Sequence, residues 1–284
     1  MDYQIEALAN AHCETGENPF WIPETGELLW TDIPKGRLFR LDVSSGKWDK
    51  FYEDELVGGF TRQSDGTLLL FRDHNIALLH EDGEIELLLD DVEAETGRFN
   101  DVIADPEGRV FAGTMGNNGN TGGLFRVDRD GAITKLWAGT GCSNGMGFTP
   151  DLSGFYWTDS TAKTIFRFDY DRDSGVLSNR REFWKATPAQ GTTDGMTVDT
   201  DGNLWVAFWG GWCLRHISAE GEVIGEIKMP VEKISSCIFG GADMNELYVT
   251  TAGGSDDSES ADGTLYRVRV EAKGKPEFSS RIFI

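Results

Sequence analysis

An all-β fold built from six similar sheets is what this sequence predicts, and three observations carry the prediction. Short apolar runs rich in aromatic and β-branched residues recur along the 284 residues, as strands do. Asp/Gly turns, drawing on 35 glycines, interrupt these runs too often for helices of ordinary length, and the runs show little 3.6-residue periodicity. The chain also repeats itself: "LLWTDIPKGRLFRLDVSSGK", "FYWTDSTAKTIFRFDYDRDSG" and four further segments of the same design follow one another at a spacing of roughly 40 to 50 residues.

Each repeat reads as an apolar strand, an Asp/Gly turn, a second strand, a gap, a third strand and another Gly turn. A lone meander of this kind cannot bury both faces, whereas six packed radially cover one another and leave only short edges. The expected architecture is therefore a six-bladed β-propeller, with residues 1–284 forming one domain. A TIM barrel would need long amphipathic crossovers, and none is visible. "YQIEAL" near the N-terminus is expected to complete the last sheet together with "EFSSRIFI" at the C-terminus, with the assignment of strands between them open. The acidic "GSDDSESADG" reads as a loop between two strands of that sheet, and "DYDRDSGVL" as a hairpin turn, since its spacing fails the EF-hand pattern at Ser174 and Arg180.

Composition bounds the partners. With 48 acidic against 26 basic residues the net charge is −22, which repels nucleic acid and anionic membranes and attracts cations. Plain solubility and adaptation to a salty cytosol both account for such acidity. No run approaches the roughly 20 apolar residues that span a bilayer, and the first residues lack a signal-peptide pattern, so a cytoplasmic protein acting as a monomer on a small molecule is expected. Cys13, Cys142, Cys213 and Cys237 lack zinc or C-x-x-C spacing and read as buried free thiols. The histidines, His12, His74, His80 and His216, show no metal-ligand spacing.

The leading edge of each first strand carries the chemistry. Equivalent positions are Glu17, Gly58, Asn100, Asn144, Asp194 and Ser235. In a propeller these strands line the central channel, so Glu17, Asn100, Asn144 and Asp194 converge on one axis although they are far apart in sequence. Two carboxylates with amide oxygens suit one hard divalent cation, whether calcium, magnesium, manganese, zinc or ferrous iron, giving a central metal-binding channel. The competing account makes the Asn-Gly and Asp-Gly pairs ordinary turn caps. Asp199, Asp201, Asp105, Asp65 and Asp151 fall later in each repeat and are assigned to the recurring turn.

These segments resemble the gluconolactonase and regucalcin family, also called senescence marker protein, over nearly the whole chain. The resemblance is carried by "CETGENPFW", "GRFNDVIADPEGRVFAGTM", "SNGMGFTPD" and "TDGMTVDTDGNLWVA". It implies a six-bladed propeller in which Glu17, Asn144 and Asp194 hold the metal, Arg98 and Asn100 orient the substrate, and Asp194 doubles as general base. This sequence departs from the pattern at Asn18, where Gly is usual, and at "GNNGN", where the family has a substrate-contacting Glu. There Asn117 or Asn118 offers an amide to a sugar hydroxyl, and a plain turn explains the loop equally well; Asn118 is kept as a substrate-binding candidate. The implied activity is metal-dependent hydrolysis of a sugar lactone to the aldonic acid, with a metal-activated water as the alternative to Asp194 as base. An Arg98–Asp101 salt bridge is the structural alternative for Arg98. The rival functions are a non-catalytic propeller that binds metal or a partner, and an organophosphate-ester hydrolase on the same scaffold.

Overall fold

The computed structural model describes residues 3–92, 97–116, 121–256 and 259–284. Six four-stranded antiparallel sheets form a six-bladed β-propeller. The first blade comprises β2 (Gly16–Ile22), β3 (Glu27–Asp32), β4 (Arg37–Asp42) and β5 (Lys47–Glu53), and the second β6 (Gly59–Arg62), β7 (Leu68–Phe71), β8 (Ile76–Leu79) and β9 (Ile85–Leu89). The third comprises β10 (Phe99–Ala104), β11 (Val110–Thr114), β12 (Gly122–Val127) and β13 (Ile133–Thr140), and the fourth β14 (Ser143–Phe148), β15 (Gly154–Asp159), β16 (Thr164–Asp171) and β17 (Val176–Lys185). The fifth holds β18 (Thr192–Val198), β19 (Leu204–Trp209), β20 (Cys213–Ile217) and β21 (Val223–Lys228). The sixth holds β22 (Ile234–Gly240), β23 (Glu246–Thr251), β24 (Thr264–Arg269) and, as its outer strand, the N-terminal β1 (Ile5–Asn10). The only helical turn among the described residues is the 3-10 segment Pro188–Gln190.

Burial follows position in the blade. β14, β18 and β22 are buried almost throughout, while the outer β5 and β17 are mostly exposed. The core is split into six apolar clusters, each wedged between two neighbouring blades. Phe20, Leu38, Phe60 and Leu70 join the first two blades, and Trp205, Leu214, Phe239 and Val249 join the last two. The ring closes through Ala9, Trp21, Trp30 and Tyr248, so β1 ties the sixth blade against the first. The first strands touch in the order β2, β6, β10, β14, β18, β22 and back to β2, which makes them the wall of the channel.

The N-terminal expectation holds, but the C-terminal one does not. "EFSSRIFI" adds no strand to the sixth blade, which β1 already completes. Residues 277–284 instead cross the end of the channel opposite the site and bind other blades. Ser280 and Ile282 bond to Arg62 and Gln63, Arg281 N donates to Gly108 O, and Phe283 N donates to Arg129 O. The apolar spacing that reads as a strand reflects burial of Ile282 and Phe278 against the second, third and fourth blades.

The turn aspartates behave as expected and do more. Asp65 and Asp151 bond only within their own turns. Asp105 and Asp199 cap their turns and also tie down neighbours: Asp105 accepts from Arg109 Nε (2.6 Å) and Tyr170 Oη (2.9 Å), and Asp199 from Trp205 Nε1 (3.1 Å).

Candidate active site

The inner strands share a local irregularity that aims the site residues. The pairing register slips between Glu17 and Phe20, Phe99 and Val102, Asn144 and Met146, and Thr193 and Met196. A bulge of this kind bends its strand and re-aims a side chain, here toward the channel. The glycines that follow have a different job from turn formation. A Cβ on Gly145 would lie 2.4 Å from Asp194 O, and one on Gly195 2.2 Å from Ser236 Oγ. Asn144-Gly145 and Asp194-Gly195 are thus inner-strand pairs that let adjacent blades approach at the axis, and the turn-cap account does not apply. Asn18, the departure from the family's Gly, adopts φ 47°, a left-handed conformation that Asn tolerates, and its Oδ1 accepts from Phe60 N.

Glu17, Asn100, Asn144 and Asp194 are all about 95% buried and line one cavity of about 440 Å³ with Arg98. Their hydrogen bonds separate them. Asn100 is fully engaged: its Oδ1 accepts from Arg98 Nη1 (2.7 Å), and its Nδ2 donates to Ser143 O (2.9 Å). Arg98 Nη1 also donates to Phe99 O (2.8 Å), so the guanidinium is held toward the cavity. In contrast, Asn144 Oδ1 and Asp194 Oδ1 are buried with no hydrogen-bond partner. The alternative Arg98–Asp101 bridge does not form among the described residues. Asp101 instead lines a 40 Å³ cavity with Glu277 on the far side of the axis.

The electrostatics call for a cation. Burial, followed by the charge of Asp101, pushes Glu17 up to about 8. Burial, then Glu17 and Asp101, raise Asp194 well above the usual carboxylate range, and Arg98 offsets this only in part. Burial also lowers Arg98 from its ordinary value. Two acceptor-only oxygens without partners, beside a second buried carboxylate, fit a hard divalent ion that prefers oxygen ligands. Among the described residues no three His, Cys, Asp or Glu side chains gather into a metal cluster.

The structure brings together five of the six expected site residues, Glu17, Arg98, Asn100, Asn144 and Asp194. Asn118, like Asn117, lies outside the described residues. Gly58 and Ser235, at the same register, do not line the cavity, and Ser235 Oγ turns to Thr250 Oγ1 (3.0 Å). Among the further lining residues that the sequence reading does not place in the site are Cys142, Lys163 and Trp209. Of the four free cysteines Cys142 is the half-buried one, with Sγ 3.6 Å from Asn100 Nδ2. Strand alternation held the signal, because residues two apart face the same side and Cys142 stands two before Asn144.

Fold and donor set together define a class: a six-bladed propeller with an acid-and-amide pocket at one mouth of its channel. The chain belongs to the SMP-30/Gluconolactonase/LRE-like region family, whose model matches residues 15–253. It is 42% identical over 287 residues to the pentonolactonase XacC of Haloferax volcanii, covering 98% of each chain. It is 35% identical over 266 residues to the regucalcin of Bos taurus, covering 90% of this chain and 89% of that one. Among solved structures, a calcium-binding regucalcin from Agrobacterium tumefaciens superposes with a TM-score of 0.92 at 26% identity over 99% of each chain. No helix among the described residues is long and apolar enough to cross a membrane.

Proposed function

We propose that this chain is a divalent-cation-dependent sugar lactonase, opening an aldonolactone to the aldonic acid. The observation that carries the reading is the pair of unpartnered buried oxygens, Asn144 Oδ1 and Asp194 Oδ1, in a cavity that also receives Arg98. Glu17, Asn144 and Asp194 would hold the cation, which when bound supplies Lewis acidity to the ester carbonyl. The kinship with a pentonolactonase makes pentonolactones the first substrates to try.

The remaining chemistry belongs to the protein's own groups. Asp194 accepts the proton of the attacking water. Water adds to the carbonyl carbon, the ring carbon–oxygen bond breaks, and the ring oxygen leaves with a proton as a hydroxyl. Arg98, fixed by Phe99 O and Asn100 Oδ1, donates its other N–H groups to substrate oxygens. Asn100 acts as a positioning residue through Arg98.

The test is Asp194→Asn, assayed on aldonolactones by acid release at constant pH. Turnover should fall by roughly 100-fold or more, with the thermal transition retained because the change removes a buried like charge. Full activity in this variant would refute the role given to Asp194.

A further inference from the structure

Lys163 is a cation in the wall of the same cavity that neither the metal set nor the Arg98 pair accounts for. It ends the turn between β15 and β16, at the same end of the fourth blade as Asn144, since Asp159 pairs with Ser143. Its backbone is held at φ 54°, a conformation unusual for a residue with a side chain, by bonds from its N to Ser160 O (3.0 Å) and from Ala186 N to its O (2.9 Å). The side chain then reaches to the segment joining the fourth and fifth blades, where Nζ donates to Gly191 O (2.9 Å) and weakly to Pro188 O (3.4 Å).

Both acceptors are neutral carbonyls, and among the described residues no carboxylate pairs with this ammonium. An ammonium carries three donors, so one remains for the cavity. Gly191 precedes Asp194 by three residues, a separation of about 10 Å along an extended chain. A sugar lactone with its carbonyl beside Asp194 would direct its hydroxyl-bearing carbons toward that interval. Trp209, which pairs with Thr192, adds an apolar surface in the same corner.

We infer that Lys163 is a specificity-determining residue, donating a hydrogen bond to a sugar hydroxyl remote from the lactone carbonyl. The inference rests on the lactonase reading and deepens it. A site built to bond a hydroxyl loses much against a substrate that lacks it, while one lined by neutral atoms loses little.

The experiment compares a pentono-1,4-lactone with γ-butyrolactone, the same ring without hydroxyls, on unaltered protein, Lys163→Met and Lys163→Arg. In Lys163→Met, kcat/KM for the pentonolactone should fall roughly tenfold or more, mainly through KM, while that for γ-butyrolactone stays within about twofold. Lys163→Arg, which keeps a charged donor, should restore most of the loss. Equal losses on both substrates would make Lys163 a mere tether of the 188–191 segment and overturn the inference, as would no loss on either. Failure of Lys163→Met to fold while Lys163→Arg discriminates no better than γ-butyrolactone chemistry allows would also overturn it. Absence of turnover of any lactone by the unaltered protein would overturn the lactonase reading and this inference with it.

Discussion

Asp194 and Glu17 hold their protons more tightly than exposed carboxyls do, because burial penalises their charge and repulsion adds to it, from Asp101 on Glu17 and from Glu17 and Asp101 on Asp194. The linkage fixes a sign. A carboxyl whose folded pKa is raised favours the folded state below its unfolded value and loses that contribution as pH rises through the folded value. For Glu17 this window runs from 4.5 to about 8. The metal-free protein should therefore melt at a lower temperature as pH rises across that window, and the gain on adding a divalent cation should grow with pH, since the cation displaces protons. Thermal melts with and without metal check both slopes; Glu17→Gln should flatten them. Much of this site is legible in the sequence, because Glu17, Asn144 and Asp194 stand in register across repeats. What register leaves undecided is the division of labour: only the hydrogen bonds show Asn100 already committed to Arg98 and Ser143 O, while Asn144 Oδ1 is free.

At the scale of the element, one turn serves two purposes. In the third blade Asp105 is fully buried and clamps Arg109 at 2.6 Å while accepting from Tyr170 of the next blade. Asp105→Ala would leave the buried Arg109 guanidinium without its counter-charge and should cost about 3–5 kcal/mol. The equivalent loss at Asp65, which bonds only Thr67 in an exposed turn, should stay below about 1 kcal/mol. Chemical denaturation of the two variants separates the cases. The sequence marks all these aspartates as turn residues, and rightly, but Asp105 and Asp151 share the same Asp-x-x-Gly spacing and only Asp105 meets a neighbouring blade. The same limit explains the C-terminal segment. Phe278, Ile282 and Ile284 fall at even spacing, as on one face of a strand, yet the sixth blade takes its fourth strand from Ile5–Asn10, leaving residues 277–284 to close the other end of the channel.

At the scale of the molecule, six interblade cores hold a ring whose surface carries a net charge of −22. Like charges at this density repel, and raising salt from 0.1 M to 1 M shortens the screening length from about 10 Å to about 3 Å. The melting temperature should therefore rise with potassium chloride, and a fall would mean that surface ion pairs outweigh the repulsion. The same field attracts a divalent cation, admits a neutral lactone and disfavours retention of the anionic acid formed from it. Repeat number follows from sequence periodicity, whereas the pocket's outer wall, with Lys163 and Trp209, depends on how neighbouring blades dock and has no periodic signature. The most direct test of the whole account is the rate of aldonolactone opening by protein stripped with a chelator and then reloaded with single divalent metals, measured where spontaneous hydrolysis is slow. Loss of turnover on stripping and recovery on reloading, absent in Asp194→Asn, is the expected result; lactone hydrolysis that is indifferent to the cation, or absent with every metal, would contradict it.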